Sequence, residues 1–269
     1  MQTFSFFEKL LLAGLLVSAM LAAVPSSGGS IPQTNTLMVF AAASLTEAFQ
    51  EIGQTFQAEH PDVRVTFNFG GSQNLRAQLE QGARADVFAS ANEQEMAAAI
   101  AAALVTRDAP QIFLTNHLVV ILPADNPGRV HALQDLARPK LLVILAAAEV
   151  PAGKYARQVL DNLATTYGAD FKAKVFANVV SNEDNVKQVA AKIQLGEADA
   201  GIVYVSDAVA APELQTIQIP ADANVRAQYP IAVLAAAPHP DLAAAFVATV
   251  LSAAGQAILK KWGFTPVVP

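Results

Sequence analysis

Four short stretches of the chain carry residue types suited to holding an anion. Ala41-Ala42-Ala43-Ser44-Leu45-Thr46-Glu47 sets a serine ahead of a helical pattern, with Glu47 three residues on, and reads as a capping box. Gly70-Gly71-Ser72-Gln73-Asn74 is a strand-to-helix turn whose glycines allow close backbone approach and whose serine lies at or near the next helix cap. Val150-Pro151-Ala152-Gly153-Lys154 opens a third helix with small residues. Ser181-Asn182-Glu183-Asp184-Asn185 opens a fourth, again with good capping types. A helix start leaves N–H groups without intrahelical partners and carries a partial positive charge of about +0.5. Several starts meeting at one place would bind an anion without a single Lys or Arg. A serine cap alone is ordinary helix chemistry. What distinguishes these loops is that Ala41–Ser44 and Gly70–Ser72 hold no bulky side chain to keep a ligand off the backbone.

Bond-breaking chemistry finds no comparable support. His60, His117, His131 and His239 are scattered, and none has His-Glu-x-x-His spacing. Gly70–Asn74 fails the Gly-x-Ser-x-Gly nucleophile turn at its last position. Gly153-Lys154 lacks the upstream glycine and the following Ser or Thr of a phosphate-binding loop. Asp86 reads as a loop-orienting residue, Asp207 as a helix cap close to Tyr204, and Lys260 and Lys261 as solvation of the last helix. A ferric site would need paired phenolates plus a carboxylate or histidine, yet no two of Tyr155, Tyr167, Tyr204 and Tyr229 are adjacent in sequence. No enzymatic role is expected.

These loops need elements to hold them. Apolar runs at Leu37–Ala42, Leu118–Leu122, Leu141–Leu145 and Ala200–Tyr204, and the alternating Val63–Asn68, predict strands, as do Asp86–Ala89, Phe176–Val180 and Pro230–Ala235. Helical patterns cover Leu45–Glu59, Asn74–Gln81, Glu93–Ala103, Tyr155–Tyr167, Glu183–Leu195, Leu242–Leu251 and Gly255–Trp262. Strands alternating with helices imply parallel sheets covered on both faces, and in such sheets ligands bind at the carboxyl ends of the strands. No linker interrupts the pattern after residue 36, so two domains would require the chain to cross between them more than once.

The chain has 269 residues, 53% hydrophobic and 15% charged, with net charge −6 and no cysteine. That length suggests about two domains. So apolar a composition does not support disorder, and the acidic balance excludes nucleic acid as a partner. Without cysteine there is no disulfide, thiolate metal site or thiol nucleophile. The longest apolar run, Leu10–Val24, follows a short segment and precedes Pro25-Ser26-Ser27-Gly28-Gly29-Ser30. This order reads as a signal peptide over residues 1–24, short of the ~20 residues a membrane span needs. A retained N-terminal anchor is the alternative; lipidation is not expected without a cysteine.

Ala41-Ala42-Ala43-Ser44-Leu45, Gly70-Gly71-Ser72 and Ala85-Asp86-Val87-Phe88-Ala89-Ser90-Ala91 together resemble the periplasmic molybdate-binding proteins of ABC uptake systems. So do Val150-Pro151-Ala152-Gly153-Lys154-Tyr155-Ala156, Ala200–Ala208 and, near the end, Gly255–Leu259 with Gly263-Phe264. The resemblance runs in order from about residue 36 to the end. It implies a two-lobed type II periplasmic-binding α/β fold, each lobe a mostly parallel sheet flanked by helices, with a two-crossing hinge. Residues 36–113 and 229–269 would form the first lobe and 114–228 the second.

The same resemblance implies a ligand set. Ser44 and Ser72 would donate hydroxyl and backbone N–H bonds, Ala152 and Val186 backbone N–H bonds, and Tyr204 its phenolic hydroxyl. Many relatives carry a second serine and a glycine after the first serine of the second loop; here Gln73-Asn74 stand there. Molybdate or tungstate would be the ligand, an ABC permease the partner, no cofactor would be needed, and the protein would be exported and monomeric. A set made only of donors suits a dianion with no proton to give. Hydrogen bonds to a charged group contribute roughly 1.5–3 kcal/mol each, so a handful would support micromolar or tighter binding, about −8 kcal/mol. Sulfate, phosphate or an organic acid remain alternatives within the fold, and a secreted α/β hydrolase outside it.

Overall fold

The computed structural model describes residues 35–267; the expected leader over residues 1–24 lies outside them. The chain begins β1 (Asn35–Ala42), α1 (Thr46–Glu59), β2 (Val63–Gly70), α2 (Ser72–Glu80), β3 (Val87–Ala89), α3 (Glu93–Ala101), β4 (Gln111–Asn116). It continues β5 (Leu118–Leu122), β6 (Val143–Ala146), α4 (Pro151–Tyr167), α5 (Phe171–Ala177), β7 (Val179–Glu183), α6 (Val186–Gln194), β8 (Ala200–Tyr204), α7 (Val205–Val209), β9 (Gln215–Gln218). It ends β10 (Ala227–Val233), α8 (Pro240–Leu251), α9 (Ala253–Lys261), β11 (Thr265–Pro266).

Two sheets result. One has the order β11-β4-β10-β3-β1-β2, the other β7-β6-β8-β5-β9. The chain passes from the first to the second at His117, between β4 and β5, and returns between β9 and β10. Asn224, on the return segment, ties the two crossings: its Oδ1 accepts from Leu118 N at 3.0 Å and its Nδ2 donates to Leu118 O at 2.8 Å.

Both sheets are mixed, and as expected most strands run one way, four of six in the first sheet and four of five in the second. β1 pairs in parallel with β2 and β3, and β6 with β7 and β8, whereas β10 runs against β3 and β4, and β5 against β8 and β9. The reason lies in the crossings. The parallel strands end at the cleft between the sheets. β5 and β10 begin there, so each must run away from it.

Packing explains the elements. An aromatic cluster under α1 anchors the first sheet: Phe56 meets Phe246 edge-on at 5.5 Å, and Phe49 meets Phe246 at 6.0 Å. Buried β5 and β8 carry apolar side chains along their length, as strands covered on both faces must. Two local expectations fail, and two strands were missed. Phe176 is helical, the last turn of α5, and the strand starts only at Val179. Glu183 ends β7, so the next helix begins at Val186, capped by Asn185, whose side chain accepts from Gln188 N. The strands β4 and β9 were not foreseen: Gln215–Gln218 is polar, and the apolar part of Gln111–Asn116 is only the three residues Ile112–Leu114. Among the described residues no single helix is long and apolar enough to cross a membrane.

Helix α4 sits unusually close to its strand. A methyl at Gly153 would run into the carbonyl oxygens of Ala146 and Ala147, which are backbone and cannot swing aside. Gly153→Ala is expected to cost about 3 kcal/mol, seen by calorimetry as a fall of ~6–12 °C in Tm. An unchanged Tm would show that α4 tolerates a seat further from β6.

Candidate functional site

The parallel strands deliver their loops to one small cavity, with about 210 Å³ of empty space when the open solvent at its mouth is included. Ser44, Ser72, Ala152, Val186 and Tyr204 all line it. The first two come from the six-stranded sheet and the other three from the five-stranded one, so the cavity spans the cleft. Helix starts dominate its wall. Ser72 is the first residue of α2, Pro151 and Ala152 open α4, and Val186 opens α6. Their first-turn N–H groups have no intrahelical acceptor. Pro151 at the first position of α4 has no N–H to waste, leaving Ala152 as that loop's first donor.

Ser44 does not cap a helix as expected, while Ser72 lies next to the Gly71 cap of α2, as expected. Ser44 lies in a 3-10 turn, Ala43–Leu45, and α1 begins after it with no side-chain cap. Ser44 Oγ instead lies 2.9 Å from the Tyr229 phenol, and when Tyr229 donates, the serine proton is free to point into the cavity. Ser72 Oγ accepts from Ala91 N at 3.0 Å, which likewise leaves its own proton available. Each serine oxygen is thus occupied from behind. Glu47, the expected partner in the capping box, turns away to Lys187.

Tyr204 ends β8 and is 1% exposed, yet its hydroxyl has no hydrogen-bond partner. A buried unsatisfied hydroxyl costs roughly 1–3 kcal/mol, so its presence on the cavity wall marks it as a donor awaiting a ligand. Burial pushes its ionisation well above the ordinary tyrosine value, with the neighbouring Tyr229 adding to the shift, so the proton stays on. Tyr229 is raised for the same reason, burial. Tyr204 and Tyr229 are brought together in space, with ring centroids 5.8 Å apart. A ferric site would also need a carboxylate or histidine beside them, and neither lines the cavity among the described residues. Among the described residues no group of three His, Cys, Asp or Glu side chains is arranged for a metal.

Asp207 supports Tyr204 from behind. Its Oδ2 accepts from Tyr204 N at 3.1 Å, which bears out its reading as a helix cap. Its Oδ1 faces the Lys187 ammonium at 3.5 Å. Burial pushes this carboxyl up to about 6, while Lys187 and the Tyr204 N–H pull it back. Asp86 likewise orients loops, accepting from Met38 N at 2.8 Å and His239 N at 2.7 Å.

Several contacts cross the cleft. Gln73 Nε2 donates to Asp184 O at 3.2 Å, Lys187 Nζ donates to both Glu47 oxygens at 2.7 and 2.8 Å, and Lys154 reaches Gln94. Tyr229, Ala91 and Lys187 were not foreseen as parts of the site, and Asp207 only as a helix cap close to Tyr204. Tyr229 and Ser44 are 185 residues apart, and no local pattern joins them. Among the described residues, no charged side chain lines the cavity.

A family model for bacterial extracellular solute-binding proteins matches residues 37–265. The chain is 40% identical over 258 residues to the molybdate-binding protein ModA of Mycobacterium tuberculosis, spanning 96% of this chain and 95% of that one. Among solved structures it is similar to the substrate-binding domain of a putative molybdenum ABC transporter from Clostridium difficile, with TM-score 0.64, 34% identity, and 86% of this chain against 99% of that one. It shares its fold with the periplasmic molybdate-binding protein of Azotobacter vinelandii, with TM-score 0.74, 21% identity, and 87% of this chain against 99% of that one.

Proposed function

Since the chain belongs to the family of bacterial extracellular solute-binding proteins, we propose that it captures molybdate, and tungstate with it, and delivers the oxyanion to an ABC permease. The two sheets are read as two lobes, residues 36–113 with 229–269 and residues 114–228, that open and close about the crossings. Ser44, Ser72, Ala152, Val186 and Tyr204 are the ligand contacts. The protein works outside the cytoplasm as a monomer, exported by the leader at residues 1–24, and needs no cofactor.

The single observation that carries this reading is the Tyr204 hydroxyl, buried and unpartnered on a cavity wall of helix starts and hydroxyls. Such a wall is rich in donors and holds no carboxylate. Hydrogen phosphate would find only neutral oxygens, weaker acceptors than a carboxylate, to take its proton among the described residues. An organic acid would call for a guanidinium, but Arg76 is taken by Glu80 and Glu95 outside the cavity. Dianions without a proton fit best, and molybdate is favoured among them by the relatives' names.

Thermal unfolding of the mature chain with molybdate, tungstate, sulfate or phosphate tests the proposal. At about 100 times Kd a ligand adds ~2.7 kcal/mol, which raises Tm by ~5–10 °C. Molybdate and tungstate are expected to give this shift at micromolar concentration and phosphate none. A shift with sulfate or phosphate alone would overturn the assignment.

A further inference from the structure

We propose that Lys187 is a positioning residue that couples the ligand-contacting tyrosine to closure of the cleft. The proposal rests on the binding function above. Lys187 follows Val186, whose N–H opens α6 at the cavity, but its own side chain leads away from the ligand. Its ammonium is shared between two carboxylates of different origin. Asp207, at 3.5 Å, belongs to the same sheet's body and holds Tyr204 N with its other oxygen. Glu47, at 2.7 Å, lies on α1, which packs on the other sheet. Asp207 has no exposed side-chain surface, and the Lys187 and Glu47 side chains are 26% and 30% exposed.

The connection is therefore continuous: Tyr204 backbone, Asp207, Lys187, Glu47. Only its last link crosses the cleft, so opening breaks that link and leaves the others intact. Lys187 keeps Asp207 compensated when the cleft is open and gains Glu47 when it shuts. Such an arrangement stabilises the shut form with no contact to the ligand. Its effect falls on release, since an encounter with the open form does not require the bridge.

The alternative role for a lysine this near the cavity is direct attraction of the anion. The two roles predict opposite results at Glu47. If Lys187 attracts the anion, Glu47→Gln frees its charge and strengthens binding, and Lys187→Met lowers the association rate. If it closes the cleft, both substitutions raise the molybdate release rate about two- to fivefold, leave the association rate within about twofold, and do not add in the double variant.

Stopped-flow kinetics on the full mature chain, with molybdate as probe, reads these rates for the parent, both single variants and the double variant. The cysteine-free sequence also permits clean spin labelling. Labels at Gln54→Cys and Thr166→Cys, exposed sites flanking different sheets, report the separation by pulsed electron resonance without ligand. Lys187→Met and Glu47→Gln are both expected to shift the distances toward an open form. Unchanged release rates, or tighter binding in Glu47→Gln, would overturn the latch while leaving the binding function intact. A parent that binds none of the four oxyanions would instead overturn the function. The label distances then decide the latch alone: an unaltered distribution in both variants refutes it.

Discussion

Tyr204→Phe is expected to bind molybdate about ten- to hundredfold more weakly, while the ligand-free protein melts no lower than the parent. The two halves of this result share one cause. The hydroxyl has no partner in the ligand-free chain, so its removal relieves a buried unsatisfied polar atom. With the anion bound, the same hydroxyl makes a hydrogen bond to a charged group, worth roughly 1.5–3 kcal/mol. The ring, buried against Tyr229, keeps its packing in phenylalanine. Calorimetry measures the affinity and differential scanning the Tm. A loss of stability with unchanged affinity would mean that Tyr204 is a packing residue and that the cavity binds elsewhere.

Gly71→Ala is expected to reduce affinity about five- to hundredfold by obstructing closure. Gly71 caps α2 with φ −62° and ψ 133°, a conformation any residue adopts, so alanine strains nothing locally. An added Cβ would lie 2.5 Å from Asp184 O and 2.6 Å from the Gln73 amide. Gln73 can rotate away, but Asp184 O is backbone on the opposite side of the cleft. The overlap therefore burdens only the closed form, at about 1–3 kcal/mol. This contrasts with Gly153, whose overlap lies within one layer and persists in every state. The variant should unfold at nearly the parent's temperature, and small-angle scattering with saturating molybdate should show a more open molecule than the parent. Parent-like affinity would show that the Gly71 and Asp184 loops need not approach so closely.

Much of this site was legible in the chain because its donors are local features. Small residues, a proline at a first helical position and an Asn cap announce helix starts wherever they occur, and the α/β alternation places those starts at the same end of each sheet. Ser72 and Ala152 reach the cavity for that reason, whereas Ser44 lies in a 3-10 turn and Val186 was named only through the family resemblance, the pattern having put that helix's start at Glu183. The support behind them was not legible. Ser44 looked like a cap because its spacing to Glu47 fits one, but a 3-10 turn intervenes, and each side chain finds a partner more than a hundred residues away, Tyr229 and Lys187. The direction of β5 and β10 was missed for a similar reason. It depends on where the chain crosses between sheets, and hydrophobic pattern alone carries no information on that point.

The placement of β10 has a consequence for how the molecule is assembled. Val87–Ala89 and Gln111–Asn116 never meet directly; residues 227–233 lie between them as the shared neighbour. The five-stranded sheet is built from one uninterrupted stretch, 118–218, while the six-stranded sheet waits for nearly the last residues to be supplied. Any chain ending before residue 227 therefore presents β3 as a raw apolar edge and leaves β4 without its partner, the kind of template on which chains adhere to one another.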